Sequence, residues 1–255
     1  YHHVYHPKAV KYDKLANTLA TDIVAICKTT EEVLLNQEHV DRYKVHLIHH
    51  GFALEDFENV PAAQVEELKA KYNPMSKYPV VGVISRQIEL KGIQYIIPAF
   101  EKLLQYYPDA LLILANATGD YQNQIKTLLQ KIPAKNYREI RFENNIFALY
   151  KLFDVFVHTP VGKYSESFGQ TYVEALASGI PSVFTLSGVA NEFISDHQNA
   201  LVVPYKDPEA VYAAVKELLE NKTLARHLSV SGKIGLKGKF GLHNMISSFE
   251  KLYLS

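Results

Sequence analysis

Three stretches of this sequence place charged and turn-forming residues just past short apolar runs, where ligands are met in many folds. The first is SRQIELKG, residues 85–92, in which Arg86 and Lys91 bracket a turn into an amphipathic segment. A cation at a helix start is unfavourable on its own, because that end of the helix dipole is already positive. The same place suits an anion, which also meets free backbone N–H groups. A diphosphate makes both cations favourable: Arg86 grips phosphate oxygens through paired donors, and Lys91 supplies a movable point charge. A solvated basic loop is the plainer alternative. Gly92 is expected to relieve crowding at the turn or to open backbone to a ligand.

The second stretch is ESFGQTYVEALASGIPSVF, residues 166–184. Gly169 opens a helix over 170–178, Gly179 ends it and Pro181 leads into the next strand. Glu174 lies about one turn into that helix. With Val173, Leu176 and Ala177 facing the core, Glu174 can point into a strand-end crevice. A carboxylate there accepts two hydrogen bonds from a vicinal diol such as a ribose. Glu166 precedes the helix, where it can touch a sugar hydroxyl or a departing phosphate, or simply cap the loop. Two carboxylates also suggest the acid/base pair of a glycoside hydrolase, which needs them roughly 5 to 9.5 Å apart across one bond. The basic turn at 85–92 argues against that, because a neutral glycan does not need paired cations.

The third stretch is TLSGVANEF, residues 185–193. Successive N–H groups from Leu186 to Val189 are candidates for an anion nest, with Ser187 and Gly188 at its turn. Glu192 either ties this loop down or meets a sugar hydroxyl. A nucleobase needs a slot as well. The turn at Phe142, Glu143, Asn144 and Asn145, followed by Ile146, lies in the right series of loops, and so does the turn over Asn116 to Asp120.

The elements that must hold these residues alternate regularly. Strands are predicted at 80–85, 110–115, 139–142, 155–158, 182–184 and 200–203, short and almost continuously apolar, as in a parallel sheet buried on both faces. Helices are predicted at 93–106, 121–131 and from Asp207-Pro208-Glu209 onward, the last with an N-cap followed by proline at the first helical position. The fold class is therefore α/β, a Rossmann-like doubly wound parallel sheet, with ligands met at the carboxyl ends of its strands. Residues 1–57 repeat this grammar with helices at 11–20 and 29–37 and strands at 23–26 and 45–48. They read as the closing elements of a second, incomplete α/β domain whose earlier part precedes this sequence, which does not begin with Met. A link is expected at 57–61 and a short helix at 65–72. The tail at 242–254 is amphipathic, with Met245, Ile246, Phe249 and Leu252 on one side.

The bulk composition excludes several classes. Lys plus Arg and Asp plus Glu both number 27, so no basic footprint for nucleic acid is present. The eleven histidines show no metal-binding spacing; His2, His3 and His6, and His49 and His50, cluster without a recognisable ligand pattern. Cys27, in the run DIVAIC, has no partner for an internal disulfide and is expected at a buried strand position, which suits a reducing compartment. No apolar run approaches the roughly 20 residues of a membrane span, and no signal-peptide pattern opens the sequence.

Residues 75–232 resemble the C-terminal domain of retaining glycosyltransferases of the group-1 (family 4) class, which have the two-domain GT-B architecture. The resemblance is carried by Glu166 and Glu174 in the pattern E-x7-E, with Phe168-Gly169 after the first Glu and EALASGIP at the second, and by Arg86 with Lys91-Gly92. Departures from the family are HTPVGKYSE where Pro-Ser usually precedes the first Glu, Ser187-Gly188 for a Gly-Gly pair, ANATGD for a Gly-rich turn, and Glu143-Asn144-Asn145 where the base turn usually has Gly.

The resemblance implies a domain division of 1–57 (the end of an acceptor-side N-terminal domain), 58–237 (the nucleotide-sugar donor-binding domain) and 238–255 (a helix crossing back). It implies transfer of a sugar from a nucleoside-diphosphate sugar (UDP-, GDP- or ADP-linked) to an acceptor hydroxyl with retention. It implies no cofactor and no obligatory metal. Arg86, Lys91 and Glu166 would be the catalytic residues. The donor would be bound by them together with Phe168, Gly169, Glu174, Ser187, Gly188, Val189 and Glu192. The base would lie against Phe142, Glu143, Asn144, Asn145 and Ile146. The expected partners are a glycan, lipid-linked or small-molecule acceptor and the N-terminal domain of the same protein. The expected location is the cytoplasm or the inner face of the membrane, with membrane contact only through regions outside this sequence. The rival readings are a glycan phosphorylase or nucleotide-sugar epimerase of the same fold, and a non-catalytic nucleotide-sugar-binding module.

Overall fold

A computed structural model describes residues 7–254 of the chain. The clustered His2, His3 and His6 lie outside the described residues.

The first segment contributes α1 (Pro7–Leu19), β1 (Ile23–Ala25), α2 (Lys28–Asn36) and β2 (Val45–Leu47). β1 and β2 pair in parallel, with Ile23 opposite Val45. Their small core is Ala25, Leu34, Val40 and Val45. Cys27 is buried as expected, but not in a strand: it is the N-cap of α2, its Sγ accepting from the Thr30 N–H at 3.4 Å. The apolar run DIVAIC concealed the cap, because a thiol reads as a small hydrophobe although its sulfur is a weak acceptor.

Two helices lead onward, α3 (Leu54–Glu58) and α4 (Ala62–Tyr72). The expected link at 57–61 needs correcting at its start. Phe57 belongs to α3, is buried, and packs edge-on against Phe147 at 4.7 Å and Tyr150 at 6.0 Å. One large apolar side chain buried in this way contributes about 1.5–3 kcal/mol, enough to draw a nominal linker into the core.

The larger unit alternates β3 (Val80–Ile84), α5 (Ile93–Leu103), β4 (Leu111–Ala115), α6 (Gln122–Leu129), β5 (Tyr137–Ile140), α7 (Ile146–Tyr150), β6 (Val155–His158), α8 (Gln170–Ala177), β7 (Ser182–Phe184) and β8 (Leu201–Val202). The strands form one parallel sheet in the order β5-β4-β3-β6-β7-β8. Chain order therefore reverses between β3 and β6, the switch point outside which α/β sheets take their ligands.

Side-chain alternation divides the core. Leu111, Ile113 and Ala115 join Phe156 and Phe184 on the face covered by α3, α7 and α8. Leu112, Leu114, Val155, Val157 and Val183 face α5, α6 and α9 (Pro208–Glu220). Ile93, Ile96, Ile97, Phe100 and Leu103 of α5 are all buried at helical spacing, as the sequence predicts. Asp207 caps α9 by accepting from the Ala210 N–H at 3.0 Å, with Pro208 at its first position.

The chain ends with α10 (Lys222–Lys233), α11 (Leu236–Phe240) and α12 (Leu242–Leu254). The segment entering α12 is fastened to the first part of the chain. The Phe52 N–H donates to the Phe240 carbonyl at 2.8 Å, and the Leu242 N–H donates to the Phe52 carbonyl at 3.1 Å. Among the described residues no helix is long and apolar enough to cross a membrane.

Candidate functional site

The loops that leave β3 and β6 meet at the switch point and form the floor of a cleft of about 520 Å³. β3 delivers Ser85 and Arg86, then a tight turn over Glu89–Lys91 that Gly92 closes. Gly92 has φ +73, and a Cβ there would lie 1.8 Å from the Thr159 carbonyl oxygen of the neighbouring loop. Only glycine lets the two loops approach so closely, and that approach brings Lys91 across to the β6 side.

From that side comes Glu166. Lys91 Nζ donates to Glu166 Oε1 at 2.5 Å, and His158 Nε2 stands 3.0 Å from the same oxygen. The Glu166 N–H donates to Ser187 Oγ at 2.9 Å, and that hydroxyl donates to the Lys163 carbonyl at 3.1 Å. Burial alone would raise the Glu166 carboxyl, but the His158 and Lys91 contacts outweigh it and hold the group at about 2. Burial pushes His158 below its ordinary value despite the facing carboxylate.

α8 begins on the cleft wall. Its N-cap is Gly169 at φ +89, with no side-chain cap, and Gly169, Gln170 and Thr171 all line the cleft. A Cβ at Gly169 would lie 2.6 Å from the Tyr172 ring. The positive end of the helix is thus presented to the cleft with its first N–H groups uncapped by any side chain, a ready anion site.

One turn on, Glu174 also lines the cleft, its Oε2 accepting from the buried Tyr150 hydroxyl at 2.8 Å. Burial raises the Glu174 carboxyl and the phenol only partly offsets that. The Tyr150 phenol lies well above its ordinary value, chiefly through burial, and so stays a donor.

The far wall is the turn after β5. Phe142, Glu143, Asn144 and Ile146 line the cleft, and Phe142 is 73% exposed, leaving its ring available for stacking. Glu143 is anchored from behind: its Oε2 accepts from Tyr72 Oη at 2.5 Å and Lys71 Nζ at 2.9 Å, and its Oε1 accepts from the Asn145 N–H at 3.0 Å. Burial would raise this carboxyl, but those three donors hold it at about 2.

Arg86, Lys91, Glu166, Gly169 and Glu174 therefore share one cavity, together with Phe142, Glu143, Asn144 and Ile146. The remaining predicted site residues do not line it. Asn145 is spent as the cap of α7, accepting from the Ala148 N–H at 3.1 Å. Phe168 is buried behind the cleft, packed against His50, Phe52 and Phe240.

Ser187, Gly188 and Val189 are buried, and two N–H groups of the expected nest are taken. Gly188 donates to the Lys163 carbonyl and Val189 to that of Phe168. Glu192 turns the other way. It accepts from the Lys28 N–H at 2.7 Å, His49 Nε2 at 2.8 Å and Lys239 Nζ at 3.1 Å, which hold it at about 2 against the effect of burial. Of the two roles expected for Glu192, tying down and touching ligand, the geometry realises the first, through elements more than 40 residues away.

Sequence reasoning missed His158, Tyr150, Gln170 and Thr171. His158 carried a usable signal, a titratable residue closing a predicted strand beside the Glu166 loop. Tyr150 carried none, lying 24 residues before its partner. Among the described residues no group of three or more His, Cys, Asp or Glu side chains is arranged to hold a metal.

Comparison with known proteins adds the following. Residues 64–234 match the family described as "Glycosyl transferases group 1". The uncharacterized glycosyltransferase MJ1069 of Methanocaldococcus jannaschii is 23% identical over 256 residues, covering 95% of this chain and 61% of the relative. The chain thus spans less than two thirds of that relative's length. Among solved structures, Anabaena Alr3699/HepE in complex with UDP and glucose superposes with a TM-score of 0.87 at 20% identity, covering 98% of this chain and 68% of that one. The C-terminal domain of the group 1 family protein LpcC from Francisella tularensis superposes with a TM-score of 0.64 at 22% identity, covering 75% of this chain and all of that one. The common architecture is two-domain, α/β and Rossmann-like, of the GT-B type.

Proposed function

The chain belongs to the group 1 glycosyl transferases, and from that premise we propose that its cleft binds a nucleoside-diphosphate sugar and serves transfer of the sugar to an acceptor hydroxyl with retention of configuration. The observation that carries this reading is the convergence of Arg86, Lys91, Glu166, Glu174 and the uncapped start of α8 on one cavity.

The diphosphate lies between Arg86, Lys91 and the first turn of α8. Breaking the bond to the anomeric carbon builds negative charge on the leaving diphosphate, and these donors are already in place where it grows. Glu174 takes the ribose hydroxyls, since an ionised carboxylate accepts two donors at once. The base stacks against Phe142, in a turn that Tyr72 and Lys71 brace through Glu143. Glu166 stands at the sugar end, its charge managed by Lys91. The acceptor hydroxyl attacks from the face the diphosphate leaves and passes its proton to the leaving phosphate oxygen, and protein cations do the neutralising that a divalent metal does elsewhere.

Residues 58–237 form the donor-binding unit in this reading, with 1–57 and 238–255 belonging to the acceptor side. Those 255 residues alone are expected to bind nucleotide and to transfer poorly.

Isothermal titration with UDP, GDP and ADP and their nucleosides tests the reading. Arg86→Ala is expected to weaken the preferred nucleoside diphosphate about tenfold and its nucleoside by less than twofold, because a charge-assisted contact to phosphate is lost. Equal losses on both ligands count against the diphosphate assignment. Mass spectrometry of products from UDP-, GDP- and ADP-sugars then names the donor.

A further inference from the structure

We propose that His158 is a positioning residue of the donor site, holding the Glu166 carboxylate in its working orientation while Lys91 turns to the diphosphate. The proposal rests on the nucleotide-sugar reading above.

His158 is the last residue of β6, two positions after Phe156. Side-chain alternation puts both on the face covered by α8. There the imidazole is 2% exposed and packs edge-on against the Tyr172 ring at 4.9 Å. It cannot change position without repacking the sheet against α8, because close-packed interiors leave no room for a second arrangement.

The hydrogen bonding selects one form of the ring. Nε2 faces Glu166 Oε1 at 3.0 Å, whereas Nδ1 is buried and has no hydrogen-bond partner among the described residues. An ionised carboxylate only accepts, so a neutral ring must carry its proton on Nε2. The opposite tautomer would set two lone pairs against each other and bury an N–H without a partner. The groups facing the ring are Glu166, Lys91 beyond it, and Tyr172; burial keeps the ring from charging.

Lys91 reaches the same oxygen, but on different terms. It sits on a flexible four-carbon stem, comes from the β3 loop and lines the open cleft. A diphosphate in the cleft competes with Glu166 for its ammonium. His158 also borders the cleft, but it is neutral and 2% exposed, so an anion does not draw it away. With both donors on Oε1, Oε2 is left for the ligand, and the His158 bond fixes where that oxygen points when Lys91 divides its charge. A buried Nδ1 without a partner is a standing cost to the fold. An apolar residue at the end of a buried strand would avoid it, and that cost is accounted for if the Nε2–H is needed.

The test compares His158→Phe, which keeps the ring packing and removes the donor, with His158→Gln, whose amide nitrogen reaches the Nε2 position. Each full-length protein is titrated with UDP, GDP and ADP and assayed with UDP-glucose, GDP-mannose and ADP-glucose. Nucleoside diphosphate affinity is expected to stay within threefold in both variants. For His158→Phe, kcat is expected to fall about tenfold to a hundredfold with KM little changed, the range seen when a group that orients another is removed. His158→Gln should recover most of that loss.

A second readout needs no variant. Nitrogen-15 spectra of the wild-type protein should show His158 neutral with its proton on Nε2 at pH 7. A wild-type kcat in a folded His158→Phe protein, an equal kcat loss in both variants, or a proton found on Nδ1 each overturns the proposal. Failure of the wild-type protein to bind any of the three nucleoside diphosphates instead overturns the sugar-donor reading, so the two failures are distinguishable.

Discussion

The two glutamates of the cleft sit eight positions apart and are both held by buried partners, yet their surroundings are opposite. Glu166 meets an ammonium and an imidazole, and its carboxyl is held at about 2. Among the described residues Glu174 meets only a phenol, and burial raises its carboxyl instead. In the proposed reading, the difference assigns each to a different end of the ligand. Cations cluster where charge has to be managed, at the end with Arg86, Lys91 and the start of α8. A carboxylate without a cationic partner keeps its acceptor strength for neutral donors, which is what a ribose diol offers. The repeat of one residue type in the sequence therefore hides two opposite environments that only the neighbours reveal.

The largest expected break in this comparison comes from Lys91→Met. It deletes the cation at the Glu166 end and leaves a buried carboxylate facing His158 alone. Turnover should fall on the order of 100- to 1,000-fold, as when one donor to developing charge is lost. Nucleoside diphosphate affinity should fall at least about tenfold with nucleoside affinity unchanged. Steady-state kinetics and titration calorimetry read both. A loss shared by nucleoside and nucleoside diphosphate would mean that Lys91 supports the fold of the cleft rather than the phosphates.

Stability should separate the two carboxyls by sign. The Glu166 carboxyl is depressed from 4.5 to about 2, so its contribution is present above the ordinary value and is lost as pH falls from about 4.5 through about 2. Glu166→Gln should therefore cost stability at pH 7 and little near pH 2. The Glu174 carboxyl is raised, so the native state resists its ionisation. That penalty is absent at low pH and full once pH exceeds the folded value. Glu174→Gln should leave stability at pH 7 unchanged or improve it. Urea unfolding of both variants at pH 7 and near pH 2 checks the signs. A clear destabilisation by Glu174→Gln at pH 7 would erase the contrast.

Which parts of this were legible in the sequence follows from how locally each is determined. Val155–His158 and Ser182–Phe184 were readable to the residue, because central parallel strands are apolar on both faces and end abruptly. The edge strand Tyr137–Ile140 was expected two residues late, since its half-exposed pattern blurs into Arg141 and Phe142. α10 carries a weak signal because Leu224, Ala225, Leu228 and Val230 are the few apolar residues of a polar segment, although Asn221 caps it by accepting from the Leu224 N–H.

In the site, the convergence of Arg86, Lys91, Glu166 and Glu174 on one cavity was legible because each lies between a strand end and the next helix, or in the first turns of that helix. Of the two roles open to Glu192, the one the structure shows is set by Lys28, His49 and Lys239, from both ends of the chain, while the Ser187–Val189 turn is tied to Thr29, Lys163 and Phe168. A hydrogen-bonding group in a loop looks available in sequence until the distant elements that occupy it are known.

The smallest expected effect gives the finest cut between the two glutamates. Tyr150 is fully buried among Phe57, Phe153 and Phe156, and its hydroxyl donates to Glu174 Oε2. Tyr150→Phe keeps the ring contacts and removes one hydrogen bond, so stability should change by only about 1 kcal/mol. The carboxylate stays in place but loses the donor that aims it. If Glu174 reads the ribose, the preference for a ribonucleoside diphosphate over its 2′-deoxy form should shrink about threefold, while the advantage of diphosphate over nucleoside stays as it was. Competition titrations with UDP, 2′-deoxy-UDP and uridine, or the guanine or adenine set if that base is preferred, separate the two numbers. A change in the diphosphate advantage instead would place Glu174 in the same electrostatic unit as Glu166, because a neutral hydroxyl lost at one end of the cleft reaches the phosphates only if the two carboxylates are coupled.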